Sequence, residues 1–440
     1  MLKKLLFGIY FATTLLEAGA MATNITETGS HRYLQRTGKM KVDFCTIFYI
    51  FHYYFHYFQF CVFFSRQQAG VGGSKKKRSR LNAYVSTVLQ EPLPAGLKPE
   101  SWSEPHRSSE KFVIFAAAMI LGLSSKEVNQ FCGSARKVGF TGDIVVAIMP
   151  EPDTAASAIV SFKKTKSTVY SIATECKGIS HDMVCSLKSL GDTNKYSINM
   201  IRYYLYKWWA TNYDKSTIIM LSDFRDVLFQ SNPFTYRTFE WTPPAAQLVV
   251  FQEPHPIKVI SRCVFNSGWI ENCYGKESHD RVASNTVSCS GVSIGTRDAI
   301  LLYGSMMIKQ LQPEVRYEFH IAAHPDFKPP PDNKKCTSLG MDQGFHNWLL
   351  YSGQLDKYLD VKIYQQGEGP VNTVGAFGGG RAIIKWSLEK WGVLKGVSPN
   401  KYFANWNGDK SPVVHQLDRY LETSLRPGYD KHLAAIQGIE

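Results

Sequence analysis

Residues 215–226 read KSTIIMLSDFRD, and the fold can be read outward from this stretch. Ile218, Ile219, Met220 and Leu221 form an unbroken apolar run, the pattern of a strand buried on both faces. The polar SDFRD that follows marks where the chain leaves the sheet. Buried-strand runs recur at 111–117 (KFVIFAA) and 143–148 (DIVVAI); 247–251 (QLVVF) and 291–295 (GVSIG) read as two more strands, and 361–364 (VKIY) as a short late one. Helical patterns lie between them. One is capped by Ser124 with Glu127 three residues on, runs to Val138 and stops at Gly139. Others cover Asn194 to Tyr213, rich in Tyr and Trp, then Asp298 to Lys309 and Asp342 to Tyr351. Strands alternating with helices predict an α/β domain with helices on both faces of its sheet. KPPPDNKK at 328–335 reads as a loop, and the sequence carries no internal repeat.

In open α/β sheets, ligands bind beyond the carboxyl ends of the strands. Asp223 and Asp226 fall there, close enough in sequence to share a divalent cation. Hard cations such as Mn²⁺ or Mg²⁺ take carboxylate oxygen and share it with substrate phosphates. Alone, a D-x-x-D pair favours a structural reading, with Arg225 neutralising one of its carboxylates. Three further segments shift the balance. Residues 407–415 read NGDKSPVVH, in which His415 suits a third metal ligand and Lys410 a diphosphate. Ser290 and Gly291 put small residues where backbone has to pass close to a ligand. Asp342 and Gln343 set a carboxylate and an amide at a helix start. Each has a plain reading as well: a surface histidine, a turn glycine, an N-cap aspartate. Their order and spacing together carry the signal.

At this point the chain resembles the GT-A-type nucleotide-sugar-dependent glycosyltransferases, over residues 110–420. The likeness rests on D-x-R-D followed by V-x-F-Q and P-F, here Asp223-Phe224-Arg225-Asp226, Val227-Leu228-Phe229-Gln230 and Pro233-Phe234. The resemblance implies a GT-A-like, Rossmann-type mixed sheet in one catalytic domain. It also implies Asp223 and Asp226 holding Mn²⁺ (or Mg²⁺) against the donor diphosphate, with His415 completing the metal site. Gly408 and Lys410 would contact the diphosphate. Ser290, Gly291, Asp342 and Gln343 would line the sugar and acceptor pocket, and strand 111–117 would border the base. The usual motif is D-x-D, so D-x-x-D leaves open which aspartate is the main ligand.

Glycosyl transfer builds positive charge at the anomeric carbon and negative charge on the leaving diphosphate. A divalent cation and Lys410 answer the second. An inverting enzyme needs a carboxylate base at the acceptor hydroxyl. Asp342 is the first candidate, followed by Glu253 and Glu368; a retaining enzyme needs no base in that place. The expected partners are a nucleotide-sugar donor, UDP favoured over GDP, and a glycan or glycoprotein acceptor. A catalytically inactive relative, acting as a membrane-tethered nucleotide-sugar or glycan binder, is the alternative. A nucleotidyltransferase is disfavoured, because AMILGLS after the first strand (118–124) is no Gly-rich, basic phosphate loop.

The N-terminal quarter has another character. The formal charge is +13, but residues 1–104 hold 13 of the 50 Lys and Arg against only 6 of the 37 Asp and Glu. The remaining chain is mildly basic and carries no nucleic-acid motif, so no nucleic-acid partner is expected. Residues 1–20 pair Lys3 and Lys4 with an apolar stretch and a small-residue AGA ending, as a signal peptide or N-terminal anchor does. Residues 44–64 carry no charge over 21 positions, long enough to cross a bilayer as a helix. Their Phe, Tyr and His content equally suits low-complexity translated sequence. Within 21–104, residues 65–104 read as linker or stem. The catalytic domain is then 105–425 and the tail 426–440. Together these readings place the chain in the secretory pathway, at the Golgi membrane with a lumenal catalytic domain.

In such a setting some of the nine cysteines would pair, and Cys263 with Cys273 and Cys176 with Cys185 are the candidate short loops. Core packing is the expected role of most aromatics. Among Trp269, Trp348 and Trp406, the last is the best acceptor contact, because it abuts the 408–415 motif.

Overall fold

The chain was built as a computed structural model. It describes residues 71–418, less 91–93, 95–96, 120–121, 151–152, 178–183, 188–195, 237–246, 256, 312–335, 337–339, 376–393 and 396–401. The leader, the 44–64 segment, the 328–335 loop and the tail 426–440 lie outside the described residues.

The main sheet has seven strands. In chain order they are β1 (Phe112–Ala118), β2 (Asp143–Ile148), β3 (Thr168–Ser171), β7 (Ile218–Asp223), β9 (Gln247–Gln252), β10 (Ser288–Thr296) and β11 (Asp360–Tyr364). Short strands β4 (Glu175–Lys177), β5 (Val184–Ser186) and β6 (Tyr196–Ser197) form a separate antiparallel sheet. The main order is β11-β9-β10-β7-β1-β2-β3. All neighbours are parallel except around β10, which runs antiparallel to both β7 and β9. This is a mixed, mostly parallel Rossmann-type sheet. A three-stranded sheet, β12 (Val371–Thr373), β15 (Val413–His415) and β8 (Val227–Phe229), stands beside it. The hairpin pair β13 (Leu394–Lys395) and β14 (Tyr402–Phe403) precedes β15.

Strand alternation divides the core into two layers. Val113, Phe115, Val145, Ala147, Ile219 and Leu221 face one side. There they meet α1 (Val71–Leu89), α5 (Ile198–Ala210), α7 (Arg297–Lys309) and α8 (Met341–Tyr351). Ile114, Ala116, Ile144, Val146, Ile218 and Met220 face the other. They meet the broken helix of α2 (Ser125–Val128), a π turn (Asn129–Gly133) and α3 (Ser134–Lys137), then α4 (Ala156–Lys164) and the β12-β15-β8 sheet. Each of the Val, Leu, Ile, Phe and Met side chains, fully buried, contributes about 1.5–3 kcal/mol. The capping box at α2 is formed, with Ser124 N donating to Glu127 Oε2 at 3.0 Å. Gly139 ends α3 at φ +82°.

Three expectations change. Residues 71–89, expected as linker or stem, are helical. Leu81, Val85 and Val88 recur at helical spacing and are buried in the core. One compact unit therefore starts at Gly72, well before residue 105. Second, the stretch between Cys263 and Cys273 is not a loop. It forms the first half of helix α6 (Val264–Val282), which separates ten residues by roughly 15 Å and forbids the pair. Cys273 is bonded to Cys336 instead, and Cys263 is a buried free thiol. Third, α4, β3 and the β4–β6 sheet were not anticipated: the strands are too short to show periodicity, and α4 starts after Ala155 with no capping side chain to mark it. In β4–β5, Cys176 stands opposite Cys185 in register, and Cys185 is disulfide-bonded. Among the described residues no helix is long and apolar enough to cross a membrane.

Candidate metal centre

β7 ends on Asp223, and a two-residue turn brings Asp226 to the start of β8. β8 pairs antiparallel with β15, with His415 opposite Val227. Leu417 N donates to Asp226 O at 3.1 Å and secures the crossing. A ligand atom from each of Asp223, Asp226 and His415 lies within 4.8 Å of the other two. His415 Nε2 is 3.1 Å from Asp223 Oδ2 and 3.9 Å from Asp226 Oδ1. Arg225 also has a partner outside the pair. It reaches Asp418 at 2.7 Å.

The cradle fits a divalent cation. Two carboxylates and an imidazole form a donor set suited to Mn²⁺ or Mg²⁺. Gly291, on β10, supplies the room. A Cβ there would lie 2.4 Å from Asp223 Oδ2 and 2.4 Å from His415 Cε1. β10 shifts register between Cys289 and Ser293, so the close approach falls at a β-bulge.

Charge in the site is set by Arg202 of α5. Its Nη1 donates to Asp223 Oδ1 and its Nη2 to Asp342 Oδ2, the latter at 2.6 Å. Ser290 Oγ also donates to Asp342 Oδ2, at 2.8 Å. Burial pushes the Asp223 carboxyl up, but Arg202 and then His415 more than offset this and hold it well below the usual carboxylate range. Burial likewise opposes charge on His415. Cys289, Asp226 and Asp223 outweigh it and raise its proton affinity well above that of free imidazole.

A polar layer supports the centre. Asp342, Gln343, His346 and Asn347 line one face of α8 against β10. Gln343 Nε2 is 3.3 Å from Glu253 Oε1 and 3.4 Å from Asn266 Oδ1. Asn347 pairs with both the N and the O of Ser288 at 2.8 Å. Ser288 Oγ donates to Phe251 O, so it accepts from His346 Nε2–H, and Tyr303 OH donates to His346 Nδ1 at 2.7 Å.

Of the residues expected from the sequence, Asp223, Asp226, His415, Ser290, Gly291 and Asp342 meet in one network, with Gln343 beside it. Gly408 and Lys410 do not join it among the described contacts. They sit on the turn before β15, with Gly408 at φ +87° and Lys410 Nζ 5.7 Å from the Tyr402 ring centroid. Lys410 precedes His415 by five residues, an extended span of roughly 16 Å. Trp406, 51% exposed, lies on the same turn, whereas Trp348 is core and Trp269 covers Gly340 and Gly344. Glu253 is buried, and Glu368 accepts from Gln365 N at 3.1 Å within its own turn. Arg202, Asn266, His346 and Asn347 were missed. An arginine alone in INMIRYYLYKWWA, and polar residues four apart in MDQGFHNWLLY, were the available signals.

The mixed sheet and the Asp/Asp/His cluster are consistent with a GT-A-like superfamily and with a metal-dependent catalytic site. No family model and no curated protein matches the chain.

Proposed function

We propose that the chain is a metal-dependent glycosyltransferase. It moves a sugar from a nucleoside-diphosphate donor, UDP favoured over GDP, to a hydroxyl of a glycan or glycoprotein. The observation that carries this reading is the Asp223–Asp226–His415 cluster at the carboxyl end of a central strand, with Gly291 leaving it room. When bound, a divalent cation supplies Lewis-acid stabilisation of the departing diphosphate. Asp223 and Asp226 compensate the cation's charge, and Arg202 fixes the rotamer of Asp223. The bare backbone at Ser290–Gly291 admits the sugar, and the Gln343 amide is held in place by Glu253 and Asn266. Asp342 Oδ2 is taken by Arg202 and Ser290, so Oδ1 is the oxygen offered to an acceptor proton. For Lys410 to reach a diphosphate, the 404–410 turn has to swing towards the triad.

The same engagement of Asp342 favours a second reading, a non-catalytic nucleotide-sugar or glycan binder. The N-terminal sequence supports a secretory route, Golgi membrane attachment and a lumenal domain. Donor hydrolysis by the full chain, across UDP- and GDP-sugars with and without Mn²⁺, separates the readings. Metal-dependent turnover supports the enzyme, metal-dependent binding without turnover supports the binder, and neither with any donor overturns both.

A further inference from the structure

A second concave site lies away from the metal centre, beside the edge strand β11. β7, β9 and β11 are mutually parallel in direction, so Asp223 marks one end of the sheet and Asp360 the other. Just before Asp360, the turn at 355–358 meets α1 and borders a shallow, open groove of about 660 Å³. α1 buries Leu81, Val85 and Val88, which leaves Arg80, Ala83, Tyr84 and Thr87 as the face that lines the groove. The opposite wall is Lys357 and Tyr358.

The lining has two chemistries. The Tyr84 and Tyr358 rings are 6.5 Å apart and tilted by 54°, a pair of aromatic faces in the groove wall. Around them stand cations: Arg80, Lys357, and Lys309, whose Nζ is 5.2 Å from the Tyr84 centroid. The lining itself holds no acidic side chain; Asp356 and Asp360 flank it, both facing Lys77, with Asp360 paired to it at 3.4 Å. Burial and the facing Arg80 push the Lys357 ammonium below its ordinary value. Like charges held this close gain from an anion placed between them. Aromatic faces take the apolar faces of sugar rings, and a cationic rim takes carboxylate or sulfate.

We propose that this groove binds an acidic oligosaccharide, one bearing carboxylate or sulfate groups, and so tethers a polyanionic acceptor away from the metal centre. The choice of a glycan over another polyanion rests on the glycosyltransferase reading. The groove suits a ring-bearing chain better than a membrane, because none of its lining side chains is a large aliphatic one that could insert into lipid.

The test is calorimetric binding to the full chain and to an Arg80→Ala/Lys357→Ala variant. The probes are oligogalacturonate, a heparin hexasaccharide, a neutral cello-oligosaccharide of equal length, and phosphatidylserine vesicles. We expect at least one acidic probe to bind, the neutral probe to bind ten-fold or more weaker, and the double variant to lose ten-fold or more for the acidic probe. Tyr358→Ala should lose affinity too, whereas Tyr358→Phe should keep it. Donor hydrolysis should be unchanged in all variants. Equal binding of the neutral probe, no loss in the double variant, no loss in Tyr358→Ala, or binding of vesicles alone overturns the proposal. Donor hydrolysis measured on the same samples reports separately on the metal centre.

Discussion

Gly291 stands where any Cβ would lie 2.4 Å from Asp223 Oδ2. The bulge in β10 brings backbone into a space that the two carboxylates and His415 otherwise define. Gly291→Ala should therefore push Asp223 or His415 out of position. Overpacking of this kind costs about 1–3 kcal/mol. The expected outcome is a Mn²⁺ affinity at least ten-fold lower by calorimetry, with a modest fall in Tm. Unchanged affinity would show that the metal, if bound, does not use Asp223 Oδ2.

Asp223 shares a charged hydrogen bond with buried Arg202. Both Asp223→Ala and Asp226→Ala should abolish Mn²⁺ binding. Asp223→Ala should also destabilise the metal-free chain by about 2 kcal/mol, the scale of a lost charged hydrogen bond. Chemical denaturation without metal checks this, and an unchanged stability would contradict it.

Removal of Arg202 should be more severe. Arg202→Ala leaves Asp342, 2% exposed, without its countercharge and close to Asp223. Breaking a buried pair costs about 3–5 kcal/mol. Arg202→Lys keeps the charge but cannot fork between two carboxylates, so it should recover stability only in part. Full recovery in Arg202→Lys would mean that charge alone, and not the bridge, matters.

These variants also show what the sequence could and could not reveal. Strands β1, β2, β7 and β9 were legible because each holds an unbroken apolar run with a clear end. Asp223 and Asp226 were legible because a strand end followed by carboxylates has a known place in an α/β sheet. His415 could be suspected from its residue type, but its partner strand was hidden, since β8 and β15 are three residues each and 186 positions apart by their first residues, Val227 and Val413. Arg202 was hidden by its setting. In an aromatic helix one arginine reads as a surface charge until the sheet places Asp223 and Asp342 on either side. Helix α1 was masked by its basic cluster, which dominated the composition and obscured the 81, 85, 88 spacing.

Metal affinity should rise with pH. Against the opposing effect of burial, Cys289, Asp226 and Asp223 raise the proton affinity of His415, with Nε2 the atom facing both aspartates. A cation at Nε2 has to displace that proton, so binding releases it. Mn²⁺ affinity should increase as pH climbs from 6 and level off above the folded-state value of His415. Without metal the linkage has the opposite sign. A raised folded-state value gives stability that is full below the unfolded value of 6.5 and is lost as pH rises through the folded one. Calorimetry in two buffers of different ionisation enthalpy counts the released proton. A pH-independent affinity with no proton release would remove His415 from the donor set.

Acid should unfold the chain through two other histidines. Tyr213 OH donates to Asp143 at 2.9 Å, so it accepts from His106 Nδ1–H at 2.7 Å, and His106 Nε2 accepts from Tyr170 OH. His346 is neutral for the matching reason, between Tyr303 and Ser288. Burial lowers His106 to about 4 and His346 to about 3, each from an ordinary 6.5. Below pH 6.5 the unfolded chain binds protons that the folded one refuses, so each histidine removes stability as pH falls towards its folded value. The slope is about 1.4 kcal/mol per pH unit for each residue. Metal-free stability should therefore peak near neutral pH, falling on the acid side from His106 and His346 and on the alkaline side from His415. Urea titrations of wild type and His346→Gln between pH 4 and 8 check the acid limb. His346→Gln, which can still hydrogen-bond both neighbours but cannot be protonated, should show a shallower acid slope, and an identical slope would show that His346 is not a source of the acid sensitivity.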